Sequence, residues 1–361
     1  MKLNLHCPIN TLSYGYVSSY FTKELIRKGY DLRHIRIGDP TPDENLIPYI
    51  KDFLSRWEFF YDAPTLKIWH QHDLHMTVGR GPKIGFPIFE LEEFNQLEKH
   101  SLGCPEFLFV CSEWARNVIC ENDHSRWKST HVVPLGFDEN IFKPIHLPPQ
   151  DTTVFGNFGK FEVRKGHDVL VKAFNKAFEK TDDVQLIMMP HNFFLNRDET
   201  MSWLKLYKES KLGDKIQFVD RVKTQDMAYN IMSKIHCGVF PARAEGWNLE
   251  ALELLASGRH LIITNCTGHT EFCNKDNSRL IEMESGYETA FDGKFFGGFG
   301  SWRSITDNEI DQMVEHMRAI HKLHQESKLH MNAKGVDSVK KFTWPSVTNI
   351  LDKTLKEVTG A

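Results

Sequence analysis

The sequence predicts an α/β protein of two doubly wound domains, each a parallel sheet with helices on both faces. Three observations carry that expectation. The chain has 361 residues, more than one hydrophobic core usually serves, so two domains of somewhat under about 200 residues are expected. Apolar strand-like runs alternate with helical patterns in both halves, as in successive βαβ units. Between the halves, 143-KPIHLPPQ-150 is proline-rich and aperiodic and reads as a linker.

In the first half, residues 3–7 read as a strand, 10–15 as a turn, 17–28 as a helix by apolar spacing, and 32–37 as the next strand. Further strands are expected at 67–70, 83–86, 107–111 and 131–133. After the linker, strands are expected at 153–158, 184–189, 215–219, 236–240 and 261–264, with helices at 168–178, 225–234 and 249–257. The domains are therefore placed at 1–146 and 151–342. Ligands of such sheets bind outside the carboxyl ends of the strands, and two sheets facing each other would enclose a central cleft. The strand-to-helix loops are where functional residues are expected.

Composition excludes several classes. With 41% hydrophobic and 25% charged residues the chain is an ordinary globular protein rather than a disordered one. A net charge of −4 without a long Lys/Arg run gives no footprint for nucleic acid. No apolar run spans a membrane, residues 1–6 lack a signal-peptide core, and no strongly basic amphipathic helix marks a membrane surface. A cytoplasmic protein is expected, with membrane association unsupported. The seven cysteines contain no CxxC pair and fall mostly in apolar segments, so buried reduced thiols are expected.

Two stretches carry chemistry. In 244-AEGWNLEALELLASGRHLIITN-265, Gly246 allows a tight turn, Asn248 suits a helix N-cap, and Gly258 suits the C′ position. The first turn of that helix offers unpaired N–H groups and a positive dipole end, which suit a phosphate. Glu245 and Glu253 would then supply acceptors for other parts of a nucleotide sugar, one for ribose hydroxyls and one for the sugar. A solvated helix with incidental glutamates fits the same residues. In 156-GNFGKFEVRKGHDVLVKAF-174, Lys160, Arg164 and Lys165 lie in a loop at a strand's carboxyl end. Three cations there suit a diphosphate leaving group on which charge develops; a solvated basic loop is the plainer reading.

Together these stretches resemble the donor-binding half of the retaining glycosyltransferases of family GT4, which have the GT-B fold of two Rossmann-like domains. Gly159-Lys160 and Lys165-Gly166 resemble the family's GR…KG segment, with Lys160 where arginine is usual. Glu245 to Glu253 matches its E-x7-E motif, and Gly258 the glycine that follows. The runs 109-FVCSEWARNVI-119 and 132-VVPLGFDENIFKP-144 resemble its serine-bearing strand end and its passage into the linker. Residues 342-FTWPSVTNIL-351 resemble the terminal helix that rejoins the first domain, here about 345–361.

The resemblance implies a metal-independent transfer of a hexose from a UDP- or GDP-sugar to an acceptor hydroxyl, with no cofactor and with a glycan, lipid or small molecule as acceptor. Lys160, Lys165 and Glu245 take the catalytic places. The donor site adds Gly15, Arg221, Val222, Gly246, Trp247, Asn248 and Glu253, with Glu253 on the ribose and the 221–222 pair near the base. Asn248 stands where the family often has glycine. In 83-KIGFPIFELEEF-94 the family's usual histidine is missing, so Glu90 becomes a candidate acceptor or sugar contact, with His72 and His191.

The cluster 70-HQHDLH-75 also has spacing for a metal, since H-x-H puts two imidazoles on one side of a strand. Against metal, the resemblance implies lysines and a helix dipole where other transferases use a divalent ion, and no D-x-D appears; an acceptor-site or proton-handling histidine and a merely hydrogen-bonded one are the other readings. The glycines of 79-GRGPKIG-85 and 297-GGFG-300 form no dinucleotide fingerprint; the first reads as a loop, the second as a mobile segment near the acceptor. The alternatives to a transferase are a non-catalytic nucleotide-binding protein and a GT-B nucleotide-sugar epimerase.

Overall fold

A computed structural model describes residues 1–56 and 58–360; Ala361, the end of the expected C-terminal helix, lies outside them. The chain divides into two compact units, residues 1–138 with 223–225 and 341–361, and residues 139–222 with 226–340.

The first unit holds six parallel strands, β1 (Lys2–Cys7), β2 (Asp31–Arg36), β3 (Thr65–Ile68), β4 (Lys83–Phe86), β5 (Phe107–Val110) and β6 (Thr130–Val132). Their order is β2-β1-β3-β4-β5-β6, so direction of winding reverses between β1 and β3. Apart from Lys67, whose ammonium donates to the Asp73 and Met76 carbonyls, the buried strand β3 is apolar or hydroxylic, as a sheet covered on both faces requires. Helix Trp344–Thr359 belongs to this unit. Trp344 stacks on Tyr20 at 5.1 Å and meets Phe21 edge-on at 5.4 Å, while Tyr30 donates to Asp352 at 2.6 Å.

The second unit holds β7 (Thr153–Asn157), β8 (Val184–Met188), β9 (Ile216–Phe218), β10 (Cys237–Phe240), β11 (His260–Thr264) and β12 (Arg279–Ile281), again all parallel. The order β12-β11-β10-β7-β8-β9 reverses between β7 and β10. Its core joins Phe155, Phe174, Leu186, Val239 and Ile262 to Met313 and Met317 of helix Asp307–Gln325. That helix begins in a capping box between Thr306 and Glu309, which satisfies orphan N–H groups at its first turn.

The sequence pattern missed β12 and an antiparallel hairpin, β13 (Tyr287–Phe291) and β14 (Gly297–Arg303). Its glycines hide strand periodicity. Residues 297–300 are thus part of a paired strand, not the mobile segment expected. Of the seven cysteines, all free, six are buried and Cys104 is exposed. No helix among the described residues is long and apolar enough to cross a membrane.

His167, His236 and His269 are fully buried, and burial pushes each imidazole down to about 4. His236 must be neutral in any case, because Nδ1 accepts the Val154 N–H at 3.0 Å. Since the folded pKa lies below the unfolded value near 6.5, the unfolded chain binds more protons between the two. Stability is therefore full above about pH 6.5 and falls as pH drops toward 4, each histidine costing up to about 1.4 kcal/mol per pH unit. Melting temperature measured from pH 7.5 to 5 should decline below 6.5; a flat profile would contradict neutral burial.

Candidate functional site at the switch point of the second unit

The backbone pairing of β7 with β10 covers Phe155 with Cys237 and Gly156 with Gly238. Beyond it the Asn157 side chain takes over, donating to the Val239 carbonyl at 2.7 Å and accepting the Gly159 N–H at 3.0 Å. The two strands then part at the point where strand order reverses, which is where open α/β sheets bind ligands. The two loops that leave it carry both stretches singled out by sequence.

Gly166 joins those loops. It has φ 73°, caps helix His167–Ala177, and an added Cβ would lie 1.8 Å from the Pro241 carbonyl oxygen. The Arg243 N–H reaches the Arg164 carbonyl at 2.7 Å, and Arg164 Nη1 reaches the Ala244 carbonyl at 2.7 Å. Arg243 also grips Asp168 through two bonds of 2.9 Å and donates to Glu288 of β13 at 2.7 Å. His167 Nε2 donates to the Gly159 carbonyl at 2.9 Å and so fixes the turn that carries Lys160.

The charged side chains form a continuous row. Lys160 Nζ lies 2.8 Å from Glu162 Oε1, Arg164 bridges Glu162 Oε2 at 2.8 Å and Glu245 Oε2 at 3.1 Å, and Lys165 Nζ lies 2.6 Å from Glu245 Oε1. All but Lys160 are largely buried; its side chain is 40% exposed. Burial alone would raise Glu245, yet Lys165 and Arg164 outweigh it and bring the carboxyl down to about 2. Burial is likewise outweighed at Glu162 by Arg164 and Lys160, and at Lys165 by Glu245, so the carboxyl is lowered and the ammonium raised. The row sets three basic side chains against two carboxylates.

Asn248 caps helix Leu249–Ala256, its side chain accepting the Ala251 N–H at 3.1 Å, and Gly258 follows the helix with φ 75°. Asn248 itself has φ 79°, a left-handed conformation that asparagine and glycine reach at lower cost than other residues. Thr267 also has positive φ, 54°, and its hydroxyl accepts the Glu245 N–H at 2.9 Å. A β-branched residue in that region is strained, and such strain gathers at functional sites.

Glu253 is buried on the same helix, and Trp247 packs on Phe272 with centroids 5.2 Å apart. Arg221 sits over the Phe193 ring at 4.7 Å, with His191 edge-on to that ring at 4.5 Å; Val222 is half-buried beside it in sequence. These stand at the carboxyl ends of β8 and β9. In the first unit, Gly15 leaves room for Asn10, whose Oδ1 would lie 2.2 Å from an added Cβ. His70 stacks on His72 at 5.3 Å and faces Tyr14 at 4.6 Å, and Glu90 is half-buried. Among the described residues no three His, Cys, Asp or Glu side chains converge to hold a metal ion. Sequence reasoning missed Glu162, Arg243, Asn157 and His167. The charge spacing of 160-KFEVRK-165 was the one signal for Glu162; nothing local marks the others.

An open α/β sheet with a cationic, partly strained cluster at its switch point has the architecture in which ligands bind at the carboxyl ends of the strands. Residues 152–291 match the family model described as Glycosyl transferases group 1. The sequence is 25% identical over 279 residues to mannosylfructose-phosphate synthase of Agrobacterium fabrum, the alignment covering 67% of this chain and 60% of that protein. Two solved structures align with 99% of this chain and 99% of their own: sucrose-phosphate synthase from Thermosynechococcus elongatus, TM-score 0.71 and 14% identity, and Anabaena HepE in complex with UDP and glucose, TM-score 0.73 and 13% identity. They share the GT-B fold.

Gly166→Ala should cost more than about 2 kcal/mol in urea unfolding, because left-handed strain adds to a backbone collision. Glu245→Gln should destabilise by about 3–5 kcal/mol by stranding buried cations; a loss below about 1 kcal/mol in the same assay would show the pairs to be solvated.

Proposed function

We propose that the protein is a retaining hexosyltransferase, moving a hexose from a UDP- or GDP-sugar to an acceptor hydroxyl without a metal ion. The observation that carries this reading is the row from Lys160 to Lys165 at the β7/β10 switch point, with one positive charge in excess. The bound UDP and glucose of the HepE structure, on the same fold, support it.

As the glycosidic bond breaks, negative charge grows on the departing diphosphate. Lys160, the exposed end of the row, and Lys165, held by Glu245, are preorganised to meet it, so little reorganisation is needed during the reaction. Glu245 keeps spare lone pairs beyond its two ion pairs and can accept from hydroxyls of the transferred sugar, with the backbone of residues 246–248. Glu253 accepts from the ribose, and the 221–222 pair lies toward the base. The acceptor hydroxyl attacks the face from which the diphosphate departs, which gives retention, and the leaving phosphate takes its proton. In the first unit, Gly15 is counted with the donor-binding residues, and His72 and Glu90 are the candidate acceptor or sugar contacts. His191 stands at the sugar end of the donor. The acceptor itself is a glycan, a lipid or a small molecule.

In EDTA, UDP or GDP at about 100 times its dissociation constant should add roughly 2.7 kcal/mol of stability, an effect that Lys165→Ala and Glu253→Ala should abolish. With the matching donor, Lys165→Ala should lower kcat by about 100- to 1000-fold, and NMR of the product should show the donor's anomeric configuration. Binding without turnover on any acceptor would point to a nucleotide-binding protein, and release of free nucleotide and sugar without acceptor product to an epimerase.

A further inference from the structure

The match to the family ends at residue 291, at the last residue of β13, so the hairpin tip and β14 lie beyond it. The hairpin is nevertheless firmly placed. At its base Glu288 accepts from Arg243 at 2.7 Å and from Trp302 at 3.0 Å. At its tip the Asp292 carboxylate accepts the N–H groups of Lys294, Phe295 and Phe296 at 2.9, 2.7 and 2.9 Å, and Lys294 pairs with Glu199 at 2.6 Å. These ties set Phe295 edge-on to Phe194, centroids 5.9 Å apart. Both rings remain exposed, and both face one cation: Lys160 Nζ lies 5.6 Å from the Phe194 centroid and 5.9 Å from that of Phe295. Trp302 and Ala290 of the same hairpin are buried, so burial accounts for them and not for Phe295.

We propose that Phe194 and Phe295 form an aromatic cap on Lys160, and that the hairpin exists to deliver it, making both rings specificity-determining residues for the diphosphate of the donor. This rests on reading Lys160 as a diphosphate ligand. Each ring attracts the ammonium through its π face and displaces water from that side of it. With Glu162 holding it from below at 2.8 Å, the cation has its remaining side for a phosphate oxygen, and the attraction there is less screened than on an open surface.

The test is calorimetric titration of UDP and GDP into wild type, Phe295→Ala, Phe194→Ala, Lys160→Ala and the Lys160→Ala/Phe295→Ala double variant. Phe299→Ala serves as control, since it alters an exposed ring of β14 away from these contacts. Phe295→Ala is expected to weaken the nucleotide that binds wild type by about three- to tenfold and to steepen its salt dependence. Phe299→Ala should change neither, Phe295→Tyr should restore affinity, and on the Lys160→Ala background the loss of Phe295 should add nothing. Unchanged affinity in Phe295→Ala, or full additivity in the double variant, overturns the cap while leaving the donor site standing. If wild type binds no nucleoside diphosphate, or Lys160→Ala binds as tightly as wild type, the donor-site reading fails first and the cap falls with it.

Discussion

The approach of Gly166 to the Pro241 carbonyl sets the spacing of the two loops at the switch point, and the charged row depends on that spacing. Any side chain at 166 would occupy the space of the opposing backbone. With the loops held this close, Arg164 reaches both Glu162 and Glu245, and Lys165 reaches the second oxygen of Glu245. Ion pairs of this length taken out of water repay their desolvation only if geometry and further hydrogen bonds are good. Here the backbone lock between residues 164 and 243–244 and the bidentate grip of Arg243 on Asp168 supply that geometry.

The row also fixes its two lysines unequally. Isolated lysines on a loop are mobile and screened, whereas Lys165 is fixed by a buried carboxylate whose own proton is held off to about pH 2. Its charge is therefore permanent and its position set before any ligand arrives. Lys160 differs: it is half-exposed, paired with Glu162 on one side and bordered by aromatic rings on the other. One end of the row is rigid and interior, the other open to solvent. Strain at Thr267, whose hydroxyl accepts the Glu245 N–H, places a costly backbone conformation beside the buried carboxylate.

Much of this was legible in local pattern. The strands from β1 to β11 fall within a few residues of their expected positions, because β-sheets covered on both faces demand short apolar runs between turn signals. The N-cap at Asn248 and the left-handed Gly258 were readable because each is a property of one residue and its neighbours. The hairpin β13–β14 was not. Its second strand is glycine-rich and its first largely exposed, and the hairpin is held by Glu288 and Lys294, whose partners Arg243 and Glu199 lie far along the chain.

What the sequence by itself determined is the class of fold, the order of its strands along the chain and the residue types at the carboxyl ends of β7 and β10. Periodicity and turn chemistry are local, so one dimension suffices to record them. Which cation meets which carboxylate was decided by the tertiary structure alone. Residues 164 and 245 are far apart in sequence, and their contact exists because β10 inserts beside β7 on the side away from β8, bringing one loop against the other. Glu162 illustrates the division: in sequence it is one acid among basic neighbours, and in the folded protein it is the link between the open lysine and the buried pairs.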